Sequence, residues 1–273
     1  MRVALKLAYI GTEFHGSQIQ PNVETVEGEL FKALRKLGII ESPKSANYTS
    51  AGRTDAGVHA LEQVVAFDTD KPNLAIPRVI NSELPSRIWA WSHAEVPLSF
   101  DARRAAVSRH YRYVMSGREY DISRIREASK MLLGTHDFEN FSRTNGEKST
   151  VRTLEVVNAR VDGELIKIDV IGNSFLWNMV RKIVTALSMI GNGVRDNDWL
   201  LQMLNPDIYE EGIEPAPAYG LTLMKVNYRD EIGWVDDDYS IRRAGEQNQK
   251  HILRHRVKAK VLGELISHNS KRY

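Results

Sequence analysis

The chain of 273 residues is 42% apolar and 26% charged, close to averages for folded globular proteins, and can fill one large core or two medium ones. It has no cysteine, which excludes disulfides, thiolate catalysis and cysteine-ligated zinc or iron–sulfur centres. No apolar run approaches the ~18 residues a membrane span needs, so no membrane association and a cytoplasmic location are expected. Net charge is only +2, yet residues 240–273 hold nine Lys or Arg against two Glu, leaving −5 for the rest. A basic segment of that kind suits a nucleic-acid footprint, because each neutralised phosphate releases a counterion, and suits a solvated surface helix equally well.

The opening MRVALKLAYI has early basic residues like a signal peptide. Its apolar stretch is short and interrupted, and Val3, Leu5, Leu7 and Tyr9 alternate with period two, which predicts a strand. After the loop GTEFHGSQIQPN, Thr25 stands as an N-cap, with Glu27 and Glu29 in the first turn and Arg35 and Lys36 in the last. Val26, Leu30, Leu34 and Leu37 supply the apolar face of that helix, and Gly38 stops it. QVVAFDTD and IWAWSHAEV read as strands, and 106–116 alternates Val107, Tyr111, Tyr113 and Met115, with Arg109 on the same parity. A helix is predicted over 122–133, ended by Gly134. Asp162-Gly163 between two alternating runs signals a hairpin. A long helix is predicted over about 175–190, with Leu176, Val180, Ile183, Leu187 and Ile190 as its stripe, and GLTLMKVNY is a last strand. Residues 230–238, with five acidic side chains, read as a loop.

Strand, helix, strands occurs twice, which predicts an α+β fold of two halves built on split β-α-β units. The expected division is 1–105, 106–235 and a basic tail, 236–273.

One segment concentrates chemistry: Ser50-Ala51-Gly52-Arg53-Thr54-Asp55-Ala56-Gly57-Val58-His59-Ala60. Two glycines bracket Arg-Thr-Asp and permit tight backbone approaches. An aspartate fixed there beside an arginine suits a nucleophile, a general base, a metal ligand or a turn cap, and a turn cap is the commonest of these. Local spacing leaves these alternatives open. The histidines, His15, His59, His93 and His136 among them, are scattered without zinc-helix spacing, so no metal is expected.

The string AGRTDAGVHA closely resembles the signature of the tRNA pseudouridine synthase A family. YIGTEFHGSQIQPN resembles that family's first loop, with Phe14, Gly16 and Gln18 in place, and SFDARRAAVSRHYRYVM resembles the stretch ending in Tyr-Arg-Tyr. NSFLWNMVRKIV resembles its arginine-bearing helix start, and GTHDFENFS and APAYGLTLMKV also match, so the resemblance spans about 5–228 in order. Ser17 departs from the aromatic residue usual before the glutamine, and the matched motifs stop short of the basic tail.

The resemblance implies a pseudouridine synthase fold with mainly antiparallel sheets and a cleft between the halves. It implies isomerisation of uridine in tRNA, most often at positions 38–40 of the anticodon arm, by a homodimer needing no cofactor. Asp55 falls on the nucleophile, Tyr111 on the tyrosine that stacks on the target base, and Arg181 on the active-site arginine. Arg53 falls on the residue that intrudes where the uridine flips out, with His59, Phe14 and Gln18 as further substrate-binding positions. From pattern alone, Arg181 reads as a surface helix residue and Tyr111 as a core aromatic. Two rival readings differ in class. A protein that only binds RNA explains the tail but not the Arg-Thr-Asp loop, and a carboxylate glycosidase normally needs a second carboxylate that the loop lacks.

Overall fold

The computed structural model describes residues 1–142, 149–207 and 212–270, with backbone alone for 267–270; the last three residues of the basic segment lie outside this description. The elements in order are β1 (Arg2–Tyr9), α1 (Val26–Lys36), β2 (Thr49–Ser50), β3 (His59–Asp68), α2 (Pro77–Ile80) and β4 (Ile88–Val96). Then come β5 (Ala106–Ser116), α3 (Ile122–Met131), β6 (Gly134–Asp137), β7 (Val151–Asp162), β8 (Leu165–Gly172) and α4 (Met179–Gly191). The chain closes with α5 (Asn197–Met203), β9 (Leu221–Tyr228), β10 (Val235–Asp236) and α6 (Asp238–Ser270).

Among the described residues the strands form one sheet in the order β10-β4-β1-β3-β9-β5-β8-β7-β6, with β2 alongside β3. Every pairing is antiparallel except β3 with β9, where His59 faces Thr222 and Ala60 faces Leu223 in a two-residue parallel joint. That joint makes a single α+β sheet out of a flank around β1 and a flank around β8.

The apolar parity read from the sequence explains which helix lies where. Leu30, Phe31 and Leu34 of α1 bury against Leu5, Leu7, Val65 and Phe67. On the other flank, Val180, Ile183 and Leu187 of α4 and Ile125 and Ala128 of α3 share a core with Tyr113, Val157 and Ile168. The helix ends follow local chemistry. Thr25 Oγ1 accepts from Gly28 N–H at 3.2 Å, and Asp121 accepts from Ser123 N–H at 2.8 Å. At the hairpin tip Gly163 takes φ +63, which is why Asp-Gly turns here.

Three expectations are corrected. The helix expected from about 175 starts at Met179, because Asn178 adopts the left-handed conformation (φ 64) and breaks the helical path. The strand expected from Gln63 begins at His59. The acidic loop at 230–238 contains β10, which returns to pair with β4. The tail from Asp238 is a helix, docked at its first turns, where Asn81 Nδ2 donates to Ser240 Oγ at 3.0 Å and the Arg78 guanidinium sits 4.8 Å over the Tyr239 ring. Its residues from Ile252 to Ile266 are exposed but for their backbone bonding along the helix. Among the described residues no helix is long and apolar enough to cross a membrane.

Candidate active site

The loop 51–58 joins β2 to β3, and the first loop of the chain grips it. Thr54 N–H donates to Ser17 Oγ at 2.9 Å, Ser17 N–H returns a bond to Thr54 O at 3.0 Å, and Thr54 Oγ1 shares a 2.8 Å bond with the Tyr9 hydroxyl. Thr54 is therefore fixed from both its backbone and its side chain, immediately before Asp55. Two glycines make the grip close enough. A Cβ on Gly11 would lie 1.9 Å from Val58 O, and Gly16, at φ +95, would place one 3.1 Å from Thr54 O. Buried Phe14 accepts at its carbonyl from Gly57 N–H (3.4 Å), while the Arg87 guanidinium covers its ring at 5.0 Å.

Asp55 faces Arg181, whose guanidinium donates to Asp55 Oδ2 at 3.4 Å. The guanidinium is itself held, donating to Ala216 O at 2.6 Å and to Asn178 Oδ1 at 3.1 Å. The left-handed turn at Asn178 thus does two things: it starts α4 late and supplies the amide oxygen that aims Arg181. Burial pushes the Asp55 carboxyl above the ordinary range, opposed by the Arg181 charge and by hydrogen bonds from Arg181 and the Trp177 side chain.

Tyr111 on β5 is buried, its ring edge-on to Phe175 at 5.1 Å. Burial, offset by Arg109 and reinforced by the Asp55 charge, pushes its phenol up to about 12, so it is a neutral hydroxyl at ordinary pH. Asp55, Arg181 and Tyr111 come from loop 51–58, α4 and β5, and the short β3–β9 joint lies between their elements.

The remaining sequence candidates take distinct places. Arg53 within loop 51–58 and Gln18 in the first loop are exposed, whereas Phe14 of the first loop is buried. His59 is used on both ring nitrogens. Nδ1 accepts from Gly11 N–H at 3.2 Å, and with the proton assigned to Nε2 that nitrogen donates to Tyr219 O at 3.1 Å. Burial lowers its pKa, which keeps the bridging ring neutral. Among the described residues no group of three His, Cys, Asp or Glu is placed to hold a metal ion.

Two residues escaped the sequence reading. Ser17, noted only as a departure, is the buried clasp on Thr54. Arg109 is a buried guanidinium with no acidic partner among the described residues, donating to the carbonyls of Ala51 and Arg103 (2.9 and 2.8 Å) and of Ala106 and Asn173 (3.2 and 2.9 Å). It ties the start of loop 51–58 to the segment leading into α4. Its only sequence signal was a parity shared with Tyr111, an arginine on a strand face otherwise turned to the core.

Residues 128–229 match the family model described as tRNA pseudouridine synthase, and this sets the class: an isomerase that modifies RNA. The chain is 87% identical over 268 residues to tRNA pseudouridine synthase A of Methanosarcina barkeri, covering 98% of this chain and 100% of that one. The same-named protein of Methanosarcina acetivorans is 85% identical with the same coverage, and that of Methanococcoides burtonii 62% identical over 99% of this chain and 98% of its own. The chain belongs to the tRNA pseudouridine synthase A family. A solved Cbf5–Nop10–Gar1 complex overlaps 68% of this chain and 45% of its own at 12% identity and a TM-score of 0.35, too low to carry an argument.

Proposed function

We propose that this tRNA pseudouridine synthase acts on uridines 38–40 of the anticodon arm, with Asp55 as the nucleophile. The observation that carries the reading is the Asp55–Arg181 pair. A carboxylate must be ionised to attack, and burial works against that by raising its pKa. A guanidinium at 3.4 Å, always protonated and aimed by two further acceptors, favours the ionised form where water is scarce.

The reaction breaks the N1–C1′ bond, turns the base and joins C5 to C1′. Nothing is oxidised and nothing is gained or lost, so the residues named here suffice without a cofactor. The target uridine must first leave its stack, at a cost of a few kcal/mol. Exposed Arg53, beside the nucleophile, enters the vacated space, and Tyr111 stacks on the extruded base. Gln18 and the Phe14 segment extend the RNA contact, and His59 contributes by holding the catalytic loop against Tyr219. Residues 1–105 act as the half that brings the nucleophile, 106–235 as the half that brings Tyr111 and Arg181, and 236–273 as a basic arm. The family resemblance further implies a cytoplasmic homodimer, which sedimentation of the purified chain tests.

The test is pseudouridine mapping on unmodified tRNA treated with wild-type protein or with Asp55→Ala. Pseudouridine in the anticodon arm with wild type only is the expected result. Modification that survives in Asp55→Ala removes the nucleophile from this reading, and modification elsewhere in the tRNA removes the target position.

A further inference from the structure

Trp177 has no part in the chemistry above, yet its side chain hydrogen-bonds to Asp55 while 53% of its surface is exposed. The indole N–H is the side chain's one donor, and about half of the side chain stays open to solvent. An aromatic face left open beside Asp55 is able to take an incoming base, with an apolar body and a polar tip on one side chain.

The ring is carried on a fixed segment. On one side of it, Asn173 Oδ1 accepts from Thr153 N–H and Ser174 N–H at 3.2 and 2.7 Å, and Asn173 N–H donates to Thr153 O at 3.1 Å. Phe175 is seated against Tyr111 at 5.1 Å. On the other side, Met179 N–H donates to Leu176 O at 3.1 Å, and Asn178 is held by Arg181. The indole is thus presented from a loop tied down at both ends, and little ordering is left to be done when a ligand arrives.

We propose that the exposed face of Trp177 is a stacking platform for a nucleobase of the substrate RNA next to the target uridine, while its N–H holds Asp55 in line. The proposal rests on Asp55 being the reacting group. Any base presents a π-face, so the platform takes a base of either kind and adds affinity without reading sequence. Tyr111 grips the extruded base from the buried side, and Trp177 covers what remains next to it.

Two variants separate the two roles of the ring. Trp177→Phe keeps a stacking face and loses the N–H. It should bind tRNA nearly as wild type does, while the acid limb of its kcat/KM profile moves to higher pH, since a bond favouring the ionised Asp55 is gone. Trp177→Ala should weaken tRNA binding by about fivefold to a hundredfold, the span seen when a stacked aromatic is removed. Tryptophan emission should be quenched by tRNA in wild type and much less so in Trp177→Phe, a comparison that stands even where the alanine variant folds poorly.

Binding and quenching are measured in an Asp55→Ala background as well, so failure of the platform is read apart from failure of the nucleophile. Unchanged affinity in Trp177→Ala, or equal quenching in wild type and Trp177→Phe, overturns the proposal. So does unchanged affinity joined to loss of self-association on sedimentation, which would assign the ring to contact between copies of the chain.

Discussion

Asp55 carries opposing demands on one side chain. Burial raises its pKa, and the Arg181 pair and the Trp177 bond draw it back only in part. Activity that needs the carboxylate should therefore fall off on the acid side above the ordinary aspartate range. In Arg181→Met the limb should rise further while kcat drops, as kcat and kcat/KM followed against pH would show; a limb that stays in place would contradict the pairing. The stability sign runs the other way from that of a salt-bridged surface aspartate. With its pKa raised on folding, the native state holds the proton more tightly than the unfolded chain, and stability is lost as pH climbs from the ordinary value through the raised one. Thermal melts should show Asp55→Asn gaining on wild type as pH climbs from the ordinary aspartate value to neutrality; a difference that stays constant over that range would mean that Asp55 is not strained by burial. Asp55 and Arg181 were legible because each sits in a long, specific string. Ser17 and Arg109 were not, since what defines them is a partner far along the chain, Thr54 for one and the Ala51 and Asn173 carbonyls for the other.

Elements with a full stripe or alternation, such as α1, β1 and the β7–β8 hairpin, were readable because burial of one face imposes the period. The short pieces β2, β6 and α2 span at most four residues and hold too few positions to show any period. The start of α4 was misplaced for a different reason: Leu176 continues the apolar stripe, but the left-handed Asn178 interrupts the helix behind it. Packing between elements yields its own prediction at Gly11, where a side chain would strike the Val58 carbonyl. Gly11→Ala should cost about 1–3 kcal/mol of stability, the usual price of overpacking, and should lower kcat by displacing the catalytic loop. Wild-type melting together with wild-type turnover would mean the loops separate freely and the grip has no role.

For the whole molecule, the uneven charge pointed to the last segment, while its shape as a helix anchored only at its first turns did not follow from composition. Arg254, Arg256, Lys258 and Lys260 lie in its exposed reach. Changing these four to Gln should weaken tRNA binding and make the log–log salt slope shallower by about 3, with kcat at saturating tRNA preserved. An unchanged slope would leave the helix as a solvated arm. The order of elements pointed to two α+β halves, but not to a joint between them only two residues long. His59 and the Tyr219 carbonyl beside that joint are 160 residues apart in the chain. Contacts so distant in sequence close late, after the loop-entropy cost between them has been met. During synthesis the aspartate loop emerges long before β9 and the Arg181 helix that complete its surroundings, so a nascent or prematurely ended chain carries Asp55 without the pair that faces it. Catalytic competence is then a report that nearly the entire polypeptide has been made and folded.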